Sequence, residues 1–139
     1  MGGWIAVRGS LEWEAVLLGA AVAFWVAGFD IIYACQDVES DLRQGLHSLP
    51  RRLGVQPALR MAAAFHFAMV ALLFYSFWSL GLSLISWLGL ALTAAALVYE
   101  HSLVSAKDLG RVNASFFTVN GLISVLLFLF VGLDLCLVL

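Results

Sequence analysis

The sequence predicts an all-α fold, a polytopic membrane bundle of four transmembrane helices, and three observations predict it. The 139 residues are 63% hydrophobic and 12% charged, and the mean hydropathy is +1.01. The charges fall in a few short stretches, separated by long runs with no Asp, Glu, Lys or Arg. Those runs are longer than a barrel strand needs, and a helix satisfies its own backbone hydrogen bonds in lipid. A soluble domain is excluded on the same grounds. The net charge of −2 gives no reason to expect a nucleic-acid partner.

The elements follow in order. Fifteen uncharged residues lie between Glu14 and Asp30, and the apolar character continues to Cys35, which predicts a first helix over 13–36. At 1.5 Å per residue, Asp30 sits about 24 Å beyond Glu14, near the far edge of a hydrocarbon core about 30 Å thick. Residues 37–57 are polar and punctuated by Gly45, Pro50, Gly54 and Pro57, a helix end followed by an ordered loop. No charge appears from Met61 to Tyr99. Those 39 residues are too many for one span, and Ser79, Gly81 and Ser83 supply a turn that divides them into helices over 58–79 and 83–104. A fourth helix is predicted over 112–134. The four helices form a single membrane domain, 1–139.

Orientation comes from the basic residues. Arg43, Arg51, Arg52 and Arg60 flank the first loop and Lys107 and Arg111 the third, whereas only Arg8 lies on the other side. The positive-inside rule then puts the loop 37–57 in the cytoplasm and both termini outside. Cys35 and Cys136 fall on opposite faces and cannot pair. No basic stretch followed at once by an apolar run marks a cleavable signal peptide.

The most informative segment is Asp30 to Gly45, where the first helix runs out into water. On a continued helix, positions 30, 33, 37 and 41 share one stripe, which brings together three carboxylates and the Tyr33 phenol. Carboxylates at a membrane edge are costly and are functional candidates by default. Asp37 and Asp41, one turn apart, suit a hard cation such as Mg²⁺, which is commonly held by one or two carboxylates plus substrate phosphates. Arg43, His47, Arg51 and Arg52 stand ready for the remaining phosphate charge. An acidic pair beside a basic loop, under apolar helices, points to a lipid diphosphate rather than a free ion.

The pattern Asp30-x-x-Tyr33-Ala34-x-x-Asp37-x-x-x-Asp41-x-x-x-Gly45-x-x-Ser48, followed by Leu49-Pro50 and Leu53-Gly54, resembles the second aspartate-rich motif of the UbiA superfamily of intramembrane aromatic prenyltransferases. Tyr99-Glu100-His101 and Asn113-Ala114-Ser115-Phe116-Phe117 are also similar to that family, and the resemblance runs from about Trp25 onward. It implies a nine-helix fold in which two aspartate-rich motifs on the cytoplasmic side hold Mg²⁺ and a polyprenyl diphosphate. The prenyl group passes to an aromatic acceptor of the 4-hydroxybenzoate kind, in ubiquinone or menaquinone biosynthesis in a bacterial inner membrane. Asp37 and Asp41 match the metal ligands, Asp30 and Tyr33 the start of the motif, and Gly45 and Ser48 its end. Tyr33 and Asp30 are the catalytic candidates, and Arg43, His47, Ser48 and Arg51 the diphosphate-binding ones. His47 stands where the family usually carries Lys. The family's first motif has no counterpart in the 139 residues, so the chain corresponds to roughly helices six to nine. It is expected to be inactive alone, with N-terminal helices or a second copy supplying the rest.

Other residues invite plainer readings. His66 reads as a buried core histidine, and Asn113 and Asn120 as an interhelical polar face. Glu100, His101, Lys107, Asp108 and Arg111 read as interfacial anchors, and Trp78 and Trp87 as an outer aromatic belt. Phe65, Phe67, Phe74 and Phe77 read as lipid-facing or core. Two alternatives remain: another Mg²⁺-dependent lipid-phosphate transferase and a non-catalytic cation- or diphosphate-binding subunit. A CDP-alcohol phosphatidyltransferase would need an Asp-Gly-x-x-Ala-Arg opening, which is absent.

Overall fold

The structure is a computed structural model that describes residues 1–105, 109 and 118–138. Seven helices are described: α1 (Gly2–Arg8), α2 (Trp13–Ala34), α3 (Val38–Gln44), α4 (Leu49–Leu53), α5 (Val55–Ser79), α6 (Leu84–Leu103) and α7 (Asn120–Val138). Four of them, α2, α5, α6 and α7, are long and apolar enough to cross a membrane. The start expected near 112 lies outside the described residues, as do Lys107, Asp108, Arg111 and Asn113. The loop 37–57 contains α3 and α4, and α1 precedes the first long helix.

The long helices alternate in direction. α2 packs along α5, α6 packs along α7, and α5 joins the two pairs. At one end Ile32 and Cys35 of the α2 terminus bury against Ala58 and Ala62 of α5 and Val104 beyond α6. At the other, Trp13 meets Tyr75 at 5.5 Å between ring centroids. A larger apolar cluster between them draws Phe29 from α2, Met69 and Leu73 from α5, Leu97 from α6 and Ile123 from α7. Phe77 is buried, whereas Phe67 and Phe74 are exposed, and Phe65 packs edge-on to Phe24 at 5.3 Å. Large apolar side chains such as Val26, Phe67, Val98 and Phe128 face outward, the arrangement that lipid rather than water favours.

Asp134 closes the end remote from the acidic motif. Its carboxylate accepts the backbone N–H of Ser83 at 2.8 Å and the hydroxyls of Ser83 and Ser86. A negative charge there complements the exposed N–H groups and dipole of the α6 start, so α7 is anchored to α6 by a satisfied buried acid.

Glu100 is not an interfacial anchor. It is fully buried, and its carboxylate lies 3.5 Å from Nδ1 of His66 on α5. The sequence placed Glu100 with the charged stretch that follows α6, but its last turns pack on α5 before that stretch begins. His66 is 2% exposed, a buried histidine as expected.

Candidate functional site

Asp30 and Tyr33 belong to α2, whereas Asp37 and Asp41 belong to the start of α3. The single helical stripe expected through all four is split. The split has a local cause: Gln36 N–H bonds the Tyr33 carbonyl at 3.0 Å and Asp37 N–H the Ala34 carbonyl at 3.3 Å. These i−3 bonds tighten the chain into a turn and end the α-helical register at Ala34. The α-helical register then restarts, with the Asp41 N–H on the Asp37 carbonyl at 2.7 Å. Asp37 and Asp41 therefore remain one turn apart, and Glu39 falls on the opposite face of α3.

Asp37 is the N-cap of α3, yet its carboxylate makes no bond to the helix's own N–H groups. An aspartate at this position ordinarily caps its helix, so its oxygens are available to a ligand. It is exposed, as is Asp30, while Asp41 is half-buried and Tyr33 is 40% exposed. α3 ends at Gly45, whose φ of 72° is left-handed. That conformation favours glycine and turns the chain from the acidic helix toward the basic segment.

The basic candidates differ in their partners. Arg43 pairs with Glu39 at 3.9 Å, with both side chains largely exposed. Such a pair contributes little and yields readily to a stronger anion. The Arg51 guanidinium donates to the Leu46 carbonyl and so braces the turn between α3 and α4. His47 is exposed. Ser48 is the N-cap of α4 without a side-chain capping bond, and its hydroxyl is buried with no hydrogen-bond partner among the described residues. A buried unpaired hydroxyl is costly and is a fitting contact for an incoming phosphate oxygen.

These features fit a hard divalent cation and a phosphate. The donors are carboxylate oxygens one turn apart, one of them not used in capping, with the Arg43 guanidinium on the same helix and the Ser48 hydroxyl on the following segment. Sequence reasoning did not single out Gln36, whose side-chain amide comes within 3.5 Å of the Leu109 carbonyl. That contact ties the motif turn to the connection after α6, 73 residues away, and no local signal predicts it.

The chain matches the UbiA prenyltransferase family over residues 1–133. It is 31% identical over 118 residues to a 4-hydroxybenzoate octaprenyltransferase of Xanthomonas campestris pv. campestris, covering 85% of this chain and 39% of that one. To the 4-hydroxybenzoate solanesyltransferase of Synechocystis sp. it is 32% identical over 93 residues, 60% of this chain and 32% of the relative. A polyprenyl transferase of Penicillium terrestre, macG, is 39% identical over 90 residues, 58% of this chain and 28% of the relative. The chain thus spans about a third of the length of these relatives. No solved structure matches it.

Proposed function

This chain belongs to the UbiA prenyltransferase family, and from that premise we propose that it forms the diphosphate-binding part of an intramembrane prenyltransferase. The enzyme would move a polyprenyl group from a polyprenyl diphosphate to an aromatic acceptor of the 4-hydroxybenzoate kind, in ubiquinone or menaquinone biosynthesis. The observation that carries this reading is the pair Asp37 and Asp41, one turn apart, with the Asp37 carboxylate not spent on capping α3.

Asp37 and Asp41 would hold Mg²⁺, which supplies charge neutralisation for a departing diphosphate. Arg43 is released from its exposed pair with Glu39 to meet phosphate oxygens, and Arg51 holds the turn that presents them. Ser48 donates its otherwise unpartnered hydroxyl. His47, a histidine rather than a permanent cation, contributes charge only when protonated. Tyr33 offers an aromatic face to the allylic carbon as positive charge develops there. Asp30, one turn before Tyr33 on α2, orients the phenol and the motif turn. The prenyl tail lies among the apolar helices, and N-terminal helices of the same protein or a second copy of the chain complete the cavity.

The direct test is a chimera in which this chain replaces the segment that it matches in the Xanthomonas octaprenyltransferase. Mg²⁺-dependent formation of polyprenylated 4-hydroxybenzoate is the expected result. A chimera that inserts into the membrane but makes no product, beside an active parent, overturns the reading.

The chain is an integral membrane protein by its four apolar helices and its family. We propose a bacterial inner membrane, by analogy with the bacterial relatives, and a cytoplasmic motif loop, on the strength of the six-to-one distribution of Lys and Arg. Cysteine labelling checks this. Ser40 and Ser79 are both exposed and sit at opposite ends of the bundle, whereas Ser83 is engaged with Asp134. In a chain lacking Cys136, with Cys35 left buried, an impermeant maleimide should label Ser79→Cys on intact cells and Ser40→Cys only after permeabilisation. Labelling of Ser40→Cys from outside reverses the assigned topology.

A further inference from the structure

We propose that His66, Glu100 and His101 form a second metal site, which takes a divalent transition-metal ion of the zinc class between α5 and α6. It is built on different helices from the acidic motif and from different ligand chemistry.

Each of the three residues offers a ligand atom, and these atoms lie within 4.8 Å of one another. His66 and Glu100 are 2% and 0% exposed. A carboxylate and two imidazoles gathered inside apolar helices are expensive, and such groups mark function by default. No other element of the proposed reaction uses them.

The tautomer of His66 is set by its surroundings. Its Nε2 lies 3.3 Å from the Trp25 carbonyl, which can only accept, so Nε2 carries the proton. Gly28 permits this approach: a Cβ there would stand 2.3 Å from Nε2. An imidazole held through one nitrogen by a backbone carbonyl, with the other nitrogen turned to the centre, is the usual arrangement of a metal-bound histidine. The lone pair on Nδ1 then faces the cluster, 3.0 Å from Nε2 of His101 and 3.5 Å from Oε2 of Glu100. Tetrahedral zinc sites with bonds of about 2.0–2.1 Å to nitrogen and oxygen keep their donors about 3.3 Å apart. The two observed separations bracket that value.

The donor set selects the ion. Two imidazoles and one carboxylate suit zinc and its neighbours, whereas Mg²⁺ prefers oxygen ligands and retained waters. A groove of about 350 Å³ lies beside His66 and His101, walled by Ala63, Phe67 and Ala94. The groove leaves room for a fourth ligand, as in zinc sites with an open position.

The experiment uses the full 139-residue chain in lipid nanodiscs, stripped by chelator and reloaded with Zn²⁺ or Co²⁺ in the presence of excess Mg²⁺. We expect one equivalent of Zn²⁺ retained through gel filtration, and a tetrahedral Co²⁺ absorption band that Zn²⁺ abolishes and Mg²⁺ does not. Glu100→Gln and His66→Ala should each weaken the affinity by about tenfold or more, while Asp37→Ala with Asp41→Ala leaves it unchanged. If His66→Ala does not insert, the near-isosteric Glu100→Gln and a Zn²⁺-dependent rise in the Tm of the wild-type chain carry the test. A wild-type chain that retains no metal, or retention that survives Glu100→Gln and His101→Ala together, overturns the site. The first of those results would mean that the cluster shares a proton instead of a metal.

Discussion

Asp37→Ala and Asp41→Ala, each made in an active protein that carries this segment, are expected to lower kcat on the order of 10²-fold or more, as removal of a group that stabilises developing charge typically does. The loss should fall on kcat as well as KM, because neutralising the departing diphosphate matters most as the carbon–oxygen bond breaks. Glu39→Ala is the control within the same helix. Its carboxylate is on the opposite face of α3 and its pair with Arg43 is long and exposed, at 3.9 Å. Exposed pairs are worth about 0–1 kcal/mol, so its effect should stay within about fivefold. Raising Mg²⁺ should partly rescue a conservative Asp41→Glu, which keeps a ligand at altered reach, and should not rescue Asp41→Ala. Equal sensitivity at 37, 39 and 41 would remove the facial argument, and indifference at 37 and 41 would remove the metal site itself.

The pairing of Asp37 with Asp41 was legible because one helical turn is a local property that survives the break in the helix before it. The break was not legible. Residues Cys35, Gln36 and Asp37 include neither Gly nor Pro, and the turn depends on i−3 hydrogen bonds that carry no residue signature. Gly45 and Gly54 mark the ends of α3 and α4. Pro50 and Pro57, read as loop breakers, fall in the first turns of α4 and α5, where proline is tolerated. The pieces between the glycines are too short for periodicity to reveal α3 and α4. The long helices were legible from uncharged length alone. What their faces meet was not: a lipid-exposed helix is apolar all round, so no amphipathic stripe says which side is buried. That is why His66 could be expected in the core while its encounter with Glu100 and His101, 34 and 35 residues later in the sequence, could not. Asp134 escaped notice for the same reason, since its partners Ser83 and Ser86 are about fifty residues away.

The 139 residues alone are expected to release no diphosphate from a polyprenyl donor and to form no prenylated 4-hydroxybenzoate. One acidic pair supplies only part of what ionising the donor requires. Two carboxylates on α3 can recruit a cation, but Asp37 is exposed, and in water a cation's pull on a diphosphate is weakened by a high dielectric constant. An allylic cation formed there would meet solvent before an arene, because a reactive intermediate survives only where water is excluded. Tyr33, 40% exposed on α2, needs a facing wall before its ring can act on the prenyl group. The purified chain in nanodiscs should therefore bind Mg²⁺ and diphosphate weakly at most and turn over neither geranyl nor longer donors. Co-expression with the N-terminal helices of the Xanthomonas relative should bring product formation above the background of either part. Continued inactivity of that pair, with both parts inserted and associated, would count against the completion of the site by those helices. Robust turnover by the chain alone would overturn the expectation. It would direct attention to an oligomer in which two copies of Asp37 and Asp41 face one cavity, and cross-linking at Ser40→Cys would then report the approach of the two motifs.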